Sequence, residues 1–435
     1  VVDAARTPRT REEREEAEVY RRVGRRLLPF LLLCYTFAYL DRVNIGFAKL
    51  HMQDDIGLSE AAFGLGAGLF FLAYALLEVP SNLLMERIGA KRTITRIMVL
   101  WGLTSAAMAL VQDATTFYVL RVMLGVFEAG FAPGIILYLT YWYPARRMAA
   151  AMGVYMLAGP VGSILGSGMS ALIITSFDGL GGLAGWQWMF IVEGLPCVVL
   201  GYLFWRSMAD RPQEAAWLSA REKEVVLAAV ARGRTRTTHG LGAALRDSRI
   251  YVMSLAYFGM MCGIYAISFW LPTVLQENGV EGTLTIGLLT AVPYVFAIAA
   301  MLVLSRTSDR FGDRRWHTIV PTAVAGAALL VAALYGHAFA LSFGALIVAT
   351  AAVWAAYTVF WAVPAEHFGG TAAAGGIALI NTVGILGGFV SPYLIGLVKD
   401  VTGSTQIGLL AMVGLLAMAT GALFLLRRPA GAGPA

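Results

Sequence analysis

Long apolar runs separated by short polar breaks occupy nearly the whole chain from residue 27 onward. A helix rises about 1.5 Å per residue, so some 20 apolar residues suffice to cross a hydrocarbon core. The pattern predicts twelve such spans, at 27–50, 60–82, 93–111, 115–140, 148–175, 187–206, 250–275, 284–305, 316–336, 340–363, 371–398 and 405–426. One long hydrophilic stretch, 207–249, interrupts them and contains RPQEAAWLSAREKEVV and the basic run RGRTRT. The expected organisation is an N-terminal arm (1–26), a six-helix bundle (27–206), a linker (207–249), a second six-helix bundle (250–426) and a tail (427–435). The fold class is all-α integral membrane, twelve transmembrane helices in two six-helix bundles.

Composition agrees with this reading. Of 435 residues, 58% are hydrophobic and only 14% charged, where soluble proteins carry roughly 25%. The net charge of +6 resides largely in short loops, so it speaks to membrane orientation and not to nucleic acid. Cys34, Cys197 and Cys262 lie far apart in apolar segments, without metal spacing, and read as small buried hydrophobes. No secretory cleavage pattern follows the arginine-rich residues 1–26, which are expected to form a frayed arm or short surface helix. No metal and no cofactor is expected.

Lys and Arg cluster in alternate loops. One side carries Arg87, Lys91, Arg92, Arg146, Arg147, the linker, the Arg306–Arg315 loop, Arg427 and Arg428. The other carries Asp54, Asp55, Asp113, Asp178, Glu277 and Glu281 with almost no basic residue. Basic loops stay in the cytosol, so the expected location is a bacterial inner (plasma) membrane, with both termini and the linker cytoplasmic. The two halves also repeat: NLLMERIGAKR after the second span matches SRTSDRFGDRR after the eighth. Glu86 corresponds to Asp309, Arg87 to Arg310 and Gly89 to Gly312. Glycine allows a tight turn there, and the acid can sit against the positive end of a neighbouring helix. These six are the expected gating and packing residues.

Four charges lie inside apolar spans: Asp41 and Arg42 in the first, Arg121 and Glu128 in the fourth. A charge at membrane depth costs roughly 2.5–3.5 kcal/mol on insertion scales and marks function by default. Counting from the outer ends at 1.5 Å per residue, Asp41 lies about 13 Å deep, Arg121 about 9 Å and Glu128 about 20 Å. Arg121 and Glu128 are seven residues apart and share one helix face. Two cross-pairs are therefore expected, Asp41 with Arg121 and Arg42 with Glu128. A static ion-pair lock would be an expensive way to hold two helices, because apolar replacements for buried pairs are often neutral or stabilising.

The paired loops resemble the signature loop of the major facilitator superfamily, with Glu86 for the commoner Asp and Asn82 for the usual leading Gly. YLDRVNIGFA in the first span, RVMLGVFEAGFAPG in the fourth and NTVGILGGFVSPYLIG in the eleventh resemble the anion:cation symporter family. GLAGWQWMFIVEGLP (182–196) is similar to a stretch of tartrate carriers. The resemblance implies two bundles that rock about a midplane site, and uptake of organic anions such as tartrate, sugar acids or aromatic acids. It further implies that Asp41 and Glu128 carry protons and that Arg42 meets the substrate carboxylate. Tyr39, Tyr74, Trp361 and Asn381 match positions that line the site in sugar-acid carriers.

The residues support the same chemistry independently. Protonating Asp41 and Glu128 would release Arg42 and Arg121 for carboxylate binding. In the second half Tyr265, Thr358, Trp361 and Asn381 suit hydroxyl groups or a flat organic body. Glu78 and Glu193 lie nearer span ends and read as structural, the glycine-rich GLGAGL as helix packing, and Pro160 and Pro392 as kinks. The expected function is proton-coupled import of an organic anion, by a monomer whose partners are that anion, protons and the lipid bilayer. An anion exchanger or uniporter, or a membrane receptor for an acid, is the alternative. An enzyme is disfavoured, since no nucleophile–base or metal constellation is visible.

Overall fold

The computed structural model describes residues 11–232, 247–367 and 371–426, with the backbone alone at 145–146, 149–150, 365–367 and 371–375. The tail at 427–435, with Arg427 and Arg428, lies outside the described residues, as do residues 1–10 and the linker stretch 233–246. Among the described residues, twelve helical segments are long and apolar enough to span a membrane. They run Arg11–Ile56, Glu60–Ile88, Ala90–Leu110, Ala114–Trp142, Ala151–Phe177 and Gly185–Ser207 in the first half. Ser248–Glu277, Thr283–Phe311, Trp316–Leu334, Phe339–Pro364, Gly376–Thr402 and Thr405–Leu425 follow in the second. Among the described residues there is no strand.

Local chemistry sets the ends. Ser59 accepts a hydrogen bond from the Ala62 amide and Asp113 from the Thr116 amide, each capping the helix that follows. The Thr116 amide and hydroxyl hold the Asp113 carboxyl below its ordinary range. Gly57 and Gly403 close the helices before them in the left-handed region. Apolar side chains such as Leu76, Leu110, Leu165, Val199 and Phe296 remain exposed on the outer faces, as lipid contact requires.

The polar arm is not a separate element. Its residues from Arg11 belong to one helix, Arg11–Val43, that runs straight into the first span. Glu15 and Arg22 pair with Arg221 and Glu222 of the linker helix Ala220–Arg232. These exposed pairs are each worth about 0–1 kcal/mol, so they orient the linker more than they stabilise the fold.

Two equivalent interfaces join the halves: the second span packs against the eleventh, and the fifth against the eighth. At Gly64 and Gly396 the backbones come so close that a Cβ would sit 2.3 Å from the Pro392 and Glu60 carbonyl oxygens. Four spans are interrupted at mid-length: the first at Asn44, the fourth at Ala129–Gly130, the fifth at Leu157 and the eleventh at Leu386. Irregular backbone at membrane depth is tolerated where protein or a cavity covers it, and Asp41, Arg42 and Glu128 all stand at such interruptions.

Candidate functional site

Gly130 takes φ +85°, and the half-helix Ala114–Glu128 ends one residue before Ala129 turns extended. Glu128 is thus the last residue of a half-helix, where free carbonyls add partial negative charge. Arg42 answers it from the end of Arg11–Val43, its Nη2 in ion-pair contact with Glu128 Oε1. Both side chains are buried. The guanidinium also donates from Nη1 to the Tyr265 hydroxyl of the seventh span at 3.1 Å. Arg42 therefore bridges the two halves of the molecule. It is boxed by the rings of Tyr39, Phe70, Phe71 and Tyr74, at 5.3–5.8 Å from its Cζ, and its Nε is buried with no partner.

The second expected cross-pair is absent. Asp41 accepts from Trp101 Nε1 and Ser105 Oγ of the third span, and from Asn44 Nδ2 at 3.4 Å. Arg121 instead donates to the carbonyl oxygens of Gly66 at 3.2 Å and Ala67 at 3.0 Å, with its Cζ 5.0 Å from the Phe70 ring. The reason is angular. Consecutive helical residues diverge by about 100°, whereas residues seven apart share a face. One face of the fourth span can serve Arg42 or Asp41, not both. Asp41 consequently points into its own bundle, and Arg121 serves as a clasp between the second and fourth spans.

The remaining expected residues divide. Tyr39 packs against Trp354, ring centroids 5.6 Å apart, so the first span meets the tenth there. Trp361 lies edge-on to Tyr257 at 4.9 Å. Asn381 donates to Glu78 Oε1 at 2.6 Å, another bond across the halves. Thr358 turns its hydroxyl to the Trp354 carbonyl of its own helix, 2.9 Å away. Tyr35 stacks on Tyr155 at 4.3 Å, and the buried Tyr155 hydroxyl and Trp354 Nε1 have no partner. Buried polar groups are nearly always satisfied, and these atoms, like Arg42 Nε, are among the described buried ones without a partner.

In the paired loops, Glu86 and Arg87 are exposed, and Asp309 pairs with Arg314. Gly89 and Gly312 both take positive φ. The acid against the first helix start is not Glu86 but Asp210, from the linker, whose Oδ1 accepts from the Lys91 amide at 2.6 Å. At the second, Asp313 accepts from the Trp316 amide at 3.4 Å, in place of Asp309.

A network that charge counting overlooked closes the opposite end. Lys49 is buried and pairs with Glu60 at 2.8 Å, while its Nζ lies 4.4 Å from the Trp270 ring. Lys399 pairs with Glu60 and with Glu277, and Asp400 accepts from the Glu60 and Ala61 amides at 2.9 Å. Glu193 is likewise buried, accepting from Asn44 at 2.9 Å and Ser170 at 2.7 Å. Toward the end carrying Arg87 and Arg310 the halves are joined by neutral donors, Asn381 to Glu78 and the Tyr357 hydroxyl to Met156 Sδ at 3.6 Å, without an ion pair among the described residues. Among the described residues, the ion pair that joins the halves is at the end carrying Lys49 and Lys399.

Comparison with known proteins gives a consistent picture. A profile described as Major Facilitator Superfamily matches residues 31–392. The chain is 44% identical to a protein of Agrobacterium vitis named "Putative tartrate transporter", over 92% of this chain and 89% of that one. It is 37% identical to the "Inner membrane transport protein RhmT" of Escherichia coli, over 92% and 94% of the two chains. Among solved structures, an inward-facing bacterial homologue of the human lysosomal transporter Spinster superposes with a TM-score of 0.74 at 18% identity, covering 92% of this chain and 96% of its own. A D-xylose–proton symporter gives 0.72 at 15% identity, covering 91% and 96%. These two likenesses concern the fold.

Proposed function

This chain belongs to the Major Facilitator Superfamily, a family of secondary transporters and not of enzymes, and from that premise we propose that it imports an organic anion together with protons. The reading rests on one observation above all: Arg42 is paired with Glu128 in its own half and hydrogen-bonded to Tyr265 in the other, with one donor unmet. Neutralising Glu128 with a proton frees the guanidinium edge that now faces it. A substrate carboxylate then takes the place of the Glu128 carboxylate, bidentate and still in reach of Tyr265. The anion on Arg42 and the proton on Glu128 are in this way bound together. Asp41, held by Trp101, Ser105 and Asn44, is the second proton-carrying residue of the reading.

The energetics favour coupling. A monoanion entering a cell whose interior is negative is opposed by about 2.3 kcal/mol per 100 mV. One accompanying proton cancels that charge and adds the pH gradient as a driving force. The names of the relatives and the hydroxyl- and ring-rich second half favour a hydroxy acid of the tartrate or sugar-acid type. Arg121 supports the site electrostatically from its seat against the second span. The basic loops, the linker and the relative named for the inner membrane favour a bacterial inner membrane location with both termini cytoplasmic. The division into bundles 27–206 and 250–426, and a monomeric state, belong to the same reading.

Purified protein in liposomes, given a labelled hydroxy acid and an acidic outside, tests it. The wild type should accumulate the acid, and Asp41→Asn and Glu128→Gln should lose accumulation while keeping exchange of labelled for unlabelled acid. Full accumulation in both variants refutes the proton roles. Equal wild-type uptake with and without the pH gradient identifies an exchanger or uniporter instead.

A further inference from the structure

Glu78 takes no part in the scheme above, yet it stands beside it. It lies one helical turn beyond Tyr74, whose ring is 5.5 Å from the Arg42 Cζ, so the two side chains share a face of the second span. Glu78 is 6% exposed. Its Oε1 accepts from Asn381 of the eleventh span at 2.6 Å, and its Oε2 is buried with no partner. Among the described residues no Lys or Arg forms an ion pair with it. The charge that acts on it is that of Arg42 of the first span, and the titratable groups it acts on are Tyr74 on its own helix and Tyr257 of the seventh. Tyr257 is itself in edge contact with Trp361. A buried carboxylate with an open lone pair, no ion-paired cation and a bond across the halves is a poor stabiliser.

We propose that Glu78, with Asn381, forms a second polar pole of the site that selects the group at the far end of the substrate. Arg42 holds the first carboxylate. A hydroxyl at the other end donates directly to Glu78 Oε2. A second carboxylate there would face Glu78 as a like charge in a water-poor site. It enters only when Glu78 has taken a proton from the aqueous phase, and the two oxygens then share that proton in an O–H···O⁻ bond. Dicarboxylates therefore bind with up to one proton more than hydroxy monocarboxylates, and release it with the acid on the other side. This inference rests on the organic-anion reading and names the substrate chemistry of that same site.

The test is a pair of acids of equal length, an aldonate and the corresponding aldarate (gluconate and glucarate). Both are fully ionised between pH 5.5 and 7.5, since free carboxyl groups titrate near 3.3–4.3. Proton uptake by Glu128 beside Arg42 is common to both, so the difference isolates the far pole. Affinities of the purified wild type are measured across that range, with calorimetry in two buffers of different ionisation enthalpy to count protons. The ratio of aldarate to aldonate dissociation constants should rise by up to tenfold per pH unit, and the aldarate should bind with the larger proton uptake. In Glu78→Gln the ratio should become flat in pH and the two proton counts equal. A pH-independent ratio in the wild type, or a slope that persists in Glu78→Gln, overturns the inference while leaving the organic-anion reading intact. Binding of neither acid, nor of tartrate or an aromatic acid, by the wild type overturns both. The wild-type proton counts decide the matter even where the variant does not fold, and a Glu78 that merely ties two helices together would not alter them.

Discussion

The two halves share a fold but not a chemistry. Every buried charged side chain among the described residues lies in the first half: Glu16, Asp41, Arg42, Lys49, Glu78, Arg121, Glu128 and Glu193. The second half meets them with hydroxyls, amides and rings, notably Tyr257, Tyr265, Tyr357, Trp361 and Asn381. Burying an ion is tolerable only with partners close at hand, so charges that exchange partners are best gathered in one rigid bundle. The other bundle can then move against them by making and breaking single hydrogen bonds from neutral side chains. Arg42–Tyr265 and Glu78–Asn381 are two such bonds at the centre.

The contrast can be broken most severely at Arg42. Arg42→Ala leaves Glu128 as an unpaired buried carboxylate, and loss of one partner from a buried pair costs about 3–5 kcal/mol. Thermal unfolding should show that loss, and uptake should fall by at least 100-fold. Arg42→Lys keeps the charge but not the fork, so stability should largely recover while uptake stays depressed. A gentler cut falls on the other half. Tyr265→Phe removes one hydrogen bond to a charged group, worth about 1.5–3 kcal/mol, so acid affinity should weaken by about tenfold or more with proton-driven accumulation retained. If Tyr265→Phe uncoupled protons as Glu128→Gln is expected to do, the division of labour between the halves would be false.

Much of this arrangement is legible in the chain, for reasons that differ by residue. Span number follows from length and apolarity alone. The Arg42–Glu128 contact follows from helix rise and a seven-residue interval, because depth and face are both arithmetic on a helix. Asp41's true partners do not follow, since a Trp and a Ser in an apolar span look like packing until the helix's rotation is known. Lys49, Glu60 and Lys399 stand near span ends, where a charge reads as a marker of orientation. Only the three-dimensional meeting of the first, second, seventh and eleventh spans shows them to be a latch. Asp210 illustrates a third kind of gap: a linker has no periodicity from which its place against Lys91 could be deduced.

The central claim is that Glu128 takes up a proton and yields Arg42 to the substrate carboxylate. Calorimetry of a hydroxy monocarboxylate binding to the purified protein, in buffers of different ionisation enthalpy, counts the protons taken up on binding. The account predicts net proton uptake by the wild type at neutral pH and a count lower by up to one in Glu128→Gln, with acid still bound. Equal counts in the two proteins, at the same pH and with both still binding the acid, would contradict it.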